Sequence, residues 1–201
     1  MKNIHQNVPF YSQRLNADNY QDEGFIDFKD ALYWSKRICG LACLKMAIQY
    51  LLKEEKSVPL KELLDKGLSL NAFTESLGWI HNGLINIGSS HGLASARESI
   101  GDNLERIDDL ISEGNLIIVS VTVGFEAGKV YQKDDGTEYI MKKGGHLILV
   151  LGTKKEQGII TELLVHHPSS QESYEYQNHW VPREVFLNSF SEAGNIMYFR
   201  K

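Results

Sequence analysis

The chain has 201 residues, 42% hydrophobic, 23% charged and 10% aromatic, with 21 basic against 26 acidic side chains and a formal net charge of −5. Such values describe a single folded domain over residues 1–201, and the acidic balance argues against a nucleic-acid binder, which normally carries a basic face. Two cysteines cannot build a disulfide scaffold, no apolar run is long enough for a transmembrane helix, and Met1 to Gln13 lacks the apolar core of a secretory signal, so the sequence as it stands reads as cytoplasmic; a chain trimmed of its signal would look the same.

The first forty residues read as mostly irregular, with Val8-Pro9-Phe10 as a short extended start. A helix begins near Cys39, where Leu41, Leu44, Ile48 and Leu51 fall at helical spacing and Ala42, Met46 and Ala47 favour the same state. Pro59 opens a second helix and Gly67 ends it. Ile80 to His91 is helical with Gly92 behind it, and Asn103 to Glu113 is a helix capped by Asn103 and stopped by Gly114.

The second half changes character. Leu116 to Val123 is a β-branched strand, Asp135-Gly136 is a turn between two weaker strands, and His146 to Leu151 is a near-continuous apolar strand buried on both faces. Ile159 to His166 is a further strand, followed by a short helix at Glu184 to Phe190 and a last strand at Ile196 to Phe199. Helices first and strands after make an α+β chain.

Cys39 stands at a helix N-terminus, whose partial positive charge favours thiolate over thiol, and Gly40 beside it leaves room for a substrate backbone. Cys43, among Leu44, Met46 and Ala47, is an inert core thiol. The two do not bridge: one helical turn holds their Cβ atoms roughly 5–6 Å apart, against the roughly 3.8 Å of a disulfide. A thiol nucleophile needs a base and a group to orient that base. Lys154 to Gly158 forms a turn midway between His146 and His167, so a hairpin sets the two histidines opposite each other on one face, His146 as base and His167 fixing its tautomer. Gln13 offers an amide to the negative charge that builds on the substrate oxygen.

Val8-Pro9-Phe10-Tyr11-Ser12-Gln13, Cys39-Gly40-Leu41-Ala42, Gly78-Trp79 through Gly83-Leu84, Gly144-Gly145-His146-Leu147 and His167-Pro168-Ser169 follow one another in an order that resembles the papain-like cysteine peptidases of the bacteriocin-processing type, and above all their stand-alone bacterial relatives. The resemblance implies a papain-like fold, N-terminal helices packed on a C-terminal antiparallel sheet. It makes Cys39 the nucleophile, His146 the general base and acid, and Gln13 the oxyanion-hole donor, with no cofactor or metal and a peptide or amide substrate. Two positions depart from the family: Leu41 replaces a usual Pro, and His167 replaces the usual Asp or Asn. A neutral His can accept a hydrogen bond but cannot stabilise an imidazolium as Asp does, and a charged one would oppose it. The expected site therefore works only while His167 is neutral.

The same residues leave open a thiol acyltransferase or transpeptidase, a non-catalytic peptide-docking module of the same fold and, least supported, a Cys/His metal site without its usual spacing. Trp34 and Trp180 flank the catalytic segments and are candidate cleft walls, the loop from Phe125 to Lys143 borders the cleft, and His81 and His91 read as structural or exposed. Nothing sets the oligomeric state.

Overall fold

A computed structural model describes residues 1–132 and 136–201. In chain order the elements are β1 (Lys2–Ile4), α1 (Phe28–Ser35), α2 (Cys39–Leu52), α3 (Leu60–Ser69), β2 (Phe73–Thr74), β3 (Gly78–Trp79), α4 (His81–Ser90), β4 (Ala94–Ser99), α5 (Glu105–Ser112), β5 (Leu116–Val121), β6 (Val130–Gln132), β7 (Glu138–Ile140), β8 (His146–Glu156), β9 (Ile159–His167), β10 (Tyr176–Pro182), α6 (Arg183–Ser189) and β11 (Asn195–Arg200). The main sheet is antiparallel, in the order β10-β9-β8-β5-β11-β4, with β1 pairing the far half of β8.

Apolar side chains line both faces of this sheet. Leu147, Leu149 and Leu151 of β8 join α2, α3 and α4 in one core. Ile148 and Val150 join Ile107, Leu110 and Ile111 of α5 and Phe186 of α6 in a second. Burial on both sides explains the apolar runs of β5, broken only at Ser120, and of β8 from Leu147 to Leu151, since a strand covered on both sides has no polar face to display. The fold is α+β as expected, except that α5, with α6, lies across the sheet from α2, α3 and α4.

Helix α2 is the central helix, buried from Gly40 through Ile48. Even Lys45 is inside, its ammonium paired with Glu23 and lying over the Tyr11 ring. Glu23 also accepts the Leu60 amide at 2.8 Å, so one carboxylate ties the N-terminal segment to α2 and to the start of α3. That segment is more ordered than its composition suggests. Helix α1 forms because Asp27 caps it, accepting the Asp30 amide at 2.7 Å. Strand β1 forms by pairing with β8, and β4, a polar edge strand, by pairing with β11. Helix α5 starts at Glu105 without a side-chain cap, so Asn103 is not its N-cap residue. Asp135, half of the predicted turn between β6 and β7, lies outside the described residues.

The β8–β9 hairpin turns at Gln157-Gly158, whose φ angles of +51° and +85° suit a two-residue turn. Two irregularities follow, an extra Thr161 on β9 and then an extra Leu151 on β8, and they cancel, leaving Leu149 opposite His166. Continuing that register sets His167 beside Ile148 and His146 beside Ser169. The two histidines share a face, as expected, but sit diagonally rather than directly opposite.

Gly83 marks where α4 meets the segment after α3. A Cβ there would fall 2.3 Å from Ala72 Cβ and 2.7 Å from its Cα. Gly83→Ala should therefore cost about 1–3 kcal/mol of stability, read as a lower urea midpoint; an unchanged midpoint would contradict the close approach.

Candidate active site

Cys39 is the first residue of α2, and no side chain caps that helix end. The Cys39 sulfur accepts the Leu147 amide at 3.5 Å, so it lies against the residue that follows His146. Burial pushes the thiol up from its ordinary value, and the amides of Leu147, Gly40 and Cys39 itself offset this only in part. The helix terminus therefore does not produce the resting thiolate expected for it. Gly40 does not face the substrate either: a Cβ on it would lie 2.7 Å from a Leu147 methyl and 3.0 Å from one of Leu84, so its missing side chain lets α2 close on β8 and α4. Both cysteines are free.

His146 begins β8, half-buried, with Nε2 2.7 Å from the Pro168 carbonyl oxygen. A carbonyl only accepts, so Nε2 carries the proton. Burial lowers the ring from 6.5 to about 4, the Pro168 bond acting weakly the other way. The ring is then neutral at physiological pH, with an unprotonated Nδ1.

His167 does not hydrogen-bond to His146. The two rings stack, centroids 4.5 Å apart and 23° from parallel. His167 is fully buried, and its Nε2 accepts the Gly124 amide at 3.3 Å. Its proton is thereby assigned to Nδ1, which has no partner among the described residues. Burial, followed by the neighbouring His146, lowers it to about 3. The acid sensitivity expected from His167 near neutrality thus moves far down the scale. Orientation of His146 comes from the main chain one residue further on.

Gln13 is 2% exposed, and its Nε2 donates to the Ser35 carbonyl at 2.8 Å. One amide N–H remains, while Oε1 has no partner among the described residues. Gln13 and His146 line a cavity of about 630 Å³ together with Tyr139 to Gly145. Cys39 and His146 line an adjoining cavity of about 300 Å³ with Trp79, His81 and Ser120. The cleft has two halves meeting at His146.

Residues 139–143 therefore do border the cleft, but its indole wall is Trp79, held by its Nε1 donating to the Arg37 carbonyl at 2.7 Å. Trp34 packs instead on Tyr33 and Phe73, and Trp180 lies under Lys2. His81, read from sequence as structural or exposed, lines the Cys39 half, and burial lowers its pKa. The Pro168 carbonyl could not have been found from side-chain chemistry, since any residue supplies one.

Among the described residues, no group of three or more His, Cys, Asp or Glu is placed to hold a metal ion, and no helix is long and apolar enough to cross a membrane.

A family model described as the peptidase C39-like family matches residues 5–198. No curated protein matches the chain. Among solved structures, one described as a C39-like peptidase from Bacillus anthracis superposes with a TM-score of 0.61 at 16% identity, over 100% of this chain and 98% of that one. The peptidase domain of Streptococcus ComA, a bifunctional ABC transporter involved in quorum sensing, gives 0.52 at 14%, over 82% and 91%. Digestive procathepsin L 3 of the Tenebrio molitor larval midgut gives 0.54 at 10%, over 100% and 69%. At these identities the three establish a shared fold.

Both site histidines take up protons less readily folded than unfolded. As pH falls below about 6.5 the unfolded chain binds protons first, so the stability they contribute is complete above that value and is lost progressively towards about 3. Histidine ¹⁵N spectra should show His146 neutral and Nε2-protonated down to about pH 4, and His167 neutral and Nδ1-protonated to about pH 3. Either ring titrating near 6.5 would contradict this arrangement.

Proposed function

The chain belongs to the peptidase C39-like family, and on that footing we propose that it is a thiol peptidase that cleaves a peptide or amide through an acyl-enzyme on Cys39. The observation that carries the reading is the tautomer of His146. Its Nε2–H is committed to the Pro168 carbonyl, in a residue that lines the Cys39 cavity, which leaves Nδ1 as the nitrogen to take the thiol proton.

The resting pair is a neutral thiol and a neutral imidazole, because burial raises one and lowers the other. Attack then requires His146 to remove the proton as sulfur meets the carbonyl carbon. The imidazolium formed has no carboxylate beside it; the Pro168 carbonyl and the π-face of neutral His167 are its neighbours. Negative charge on the substrate oxygen is taken by the second Gln13 N–H and the Cys39 amide. His146 returns its proton to the leaving amine, then deprotonates the water that releases the acyl group and regenerates the thiol. His167 acts as a positioning residue, holding the His146 ring by stacking and staying uncharged because it is buried.

Product analysis by mass spectrometry on a peptide mixture should show cleavage by the wild-type chain and none by Cys39→Ala. Gln13→Ala should lose about 10²–10³ in kcat if the amide holds the oxyanion. Peptides held equally by both proteins with no product would favour the docking module, and new amide bonds formed with an added amine would favour transfer. The rate should fall on acidification near pH 4, where His146 takes its proton, and not near 6.5; an acid limb near neutrality would sink the neutral-pair description.

A further inference from the structure

The cleft carries a charge opposite to that of the protein. The half lined by Gln13 and His146 includes Lys36, Lys142 and Lys143 and no Asp or Glu. The half around Cys39 adds Arg37 and one acid, Glu75, which faces Arg37 at 3.8 Å and is bonded by the Tyr33 hydroxyl. Elsewhere Lys45, Lys61, Lys129, Lys154 and Lys155 each meet a carboxylate, while the other described lysines outside the cleft, such as Lys53 and Lys56, stand without one; what sets the cleft apart is that three lysines without an acid gather in one concavity. Among the described residues, no ion pair engages Lys36, Lys142 or Lys143. The Lys143 ammonium donates to the Leu187 carbonyl at 3.0 Å, which fixes its position without cancelling its charge. Acids beside the walls are Glu192, which shares the next depression with Lys142 and Lys143, Glu138, which precedes Tyr139, and Glu172, which follows Gln171 and is held by Arg14. Three unmatched cations in a concave site, on a chain of net charge −5, focus a positive potential where a substrate must lie.

We propose that the cleft selects an acidic peptide, with carboxylates on the Gln13 side of the bond to be cut facing Lys36, Lys142 and Lys143. The proposal rests on Cys39 and His146 being the catalytic pair, and it assigns that pair a substrate class. The carboxylates can belong to Asp or Glu side chains or to a free C-terminus close to the scissile amide; the recognising chemistry is the same.

The test uses the full-length chain with Cys39→Ala, so that binding is read without turnover, and fluorescence anisotropy of labelled peptides identical but for Glu, Gln or Lys at the varied positions. The Glu peptide should bind about tenfold tighter than the Gln peptide and the Lys peptide weakest, as a few exposed charge contacts allow. About 0.5 M salt should flatten the series. Lys36→Gln combined with Lys142→Gln should abolish the preference. Lys53→Gln with Lys56→Gln, which removes the same charge at the distant end of α2, should keep it. Amidated peptides separate the sources: a preference that survives amidation belongs to side chains, and one that disappears belongs to the C-terminus. Equal affinity of Glu and Gln peptides, tighter binding of the Lys peptide, no binding of the Glu peptide, or displacement of it by a DNA oligomer as readily as by unlabelled peptide would each overturn the proposal. Wild-type turnover is scored separately: a charge preference without Cys39-dependent product overturns the catalytic reading alone, and cleavage without a charge preference overturns this one alone.

Discussion

Everything at this site depends on how closely the first turn of α2 approaches Leu147. Three contacts meet on that one residue: its amide donates to the Cys39 sulfur, its carbonyl receives the Cys43 thiol at 3.5 Å, and its side chain occupies the space that any Cβ at position 40 would take. A helix and a strand are thereby locked at a single level. His146 is the residue before Leu147, so fixing Leu147 against α2 also fixes the imidazole relative to the thiol. Leu84 closes on Gly40 from α4 and completes the joint. The surrounding core, from Leu41 to Ile48 on the helix and Leu149 to Leu151 on the strand, continues the packing that holds this contact.

Burial has two electrostatic results here. It disfavours charge on sulfur and charge on imidazole alike, and so favours the uncharged pair. It also makes a second histidine tolerable. Exposed and partly protonated, a ring 4.5 Å from His146 would repel the imidazolium that the proposed mechanism forms there. Sealed in the core and fixed as an acceptor for Gly124, it presents an aromatic face instead, beside Phe125 and Tyr176.

How much of this was legible in the sequence varied with the range of the interaction. The helix carrying Cys39 announced itself through its own periodicity, and β5 and β8 through their apolar runs. The placement of His146 and His167 on one face was also readable, because a two-residue shift in register preserves the face. The diagonal offset was not, since it depends on the exact turn and on two bulges that offset each other. Helix α1 was hidden because Phe28, Leu32 and Tyr33 remain substantially exposed, so no clear buried stripe appears and only the Asp27 cap marks it. Strands β4 and β10 are edge strands rich in polar residues and owe their form to the strands they join. Trp79 and His81 reach the cleft because β3 and the start of α4 lie beside Arg37, a tertiary fact with no local signature.

The partner of the His146 Nε2 has a consequence for how the chain can change over generations. A side-chain carboxylate in that role can be lost through a single codon. A peptide carbonyl belongs to every residue type, so replacing the side chain at position 168 does not delete the acceptor. What can remove it is a change of backbone path, by insertion or deletion between β9 and the turn that follows. Selection on this part of the molecule then falls on segment length and register. Under the proposed mechanism position 167 is asked for an uncharged ring stacked on His146, and not for an acid. The His167 that departs from the expected Asp or Asn is in these terms compatible with the proposed chemistry.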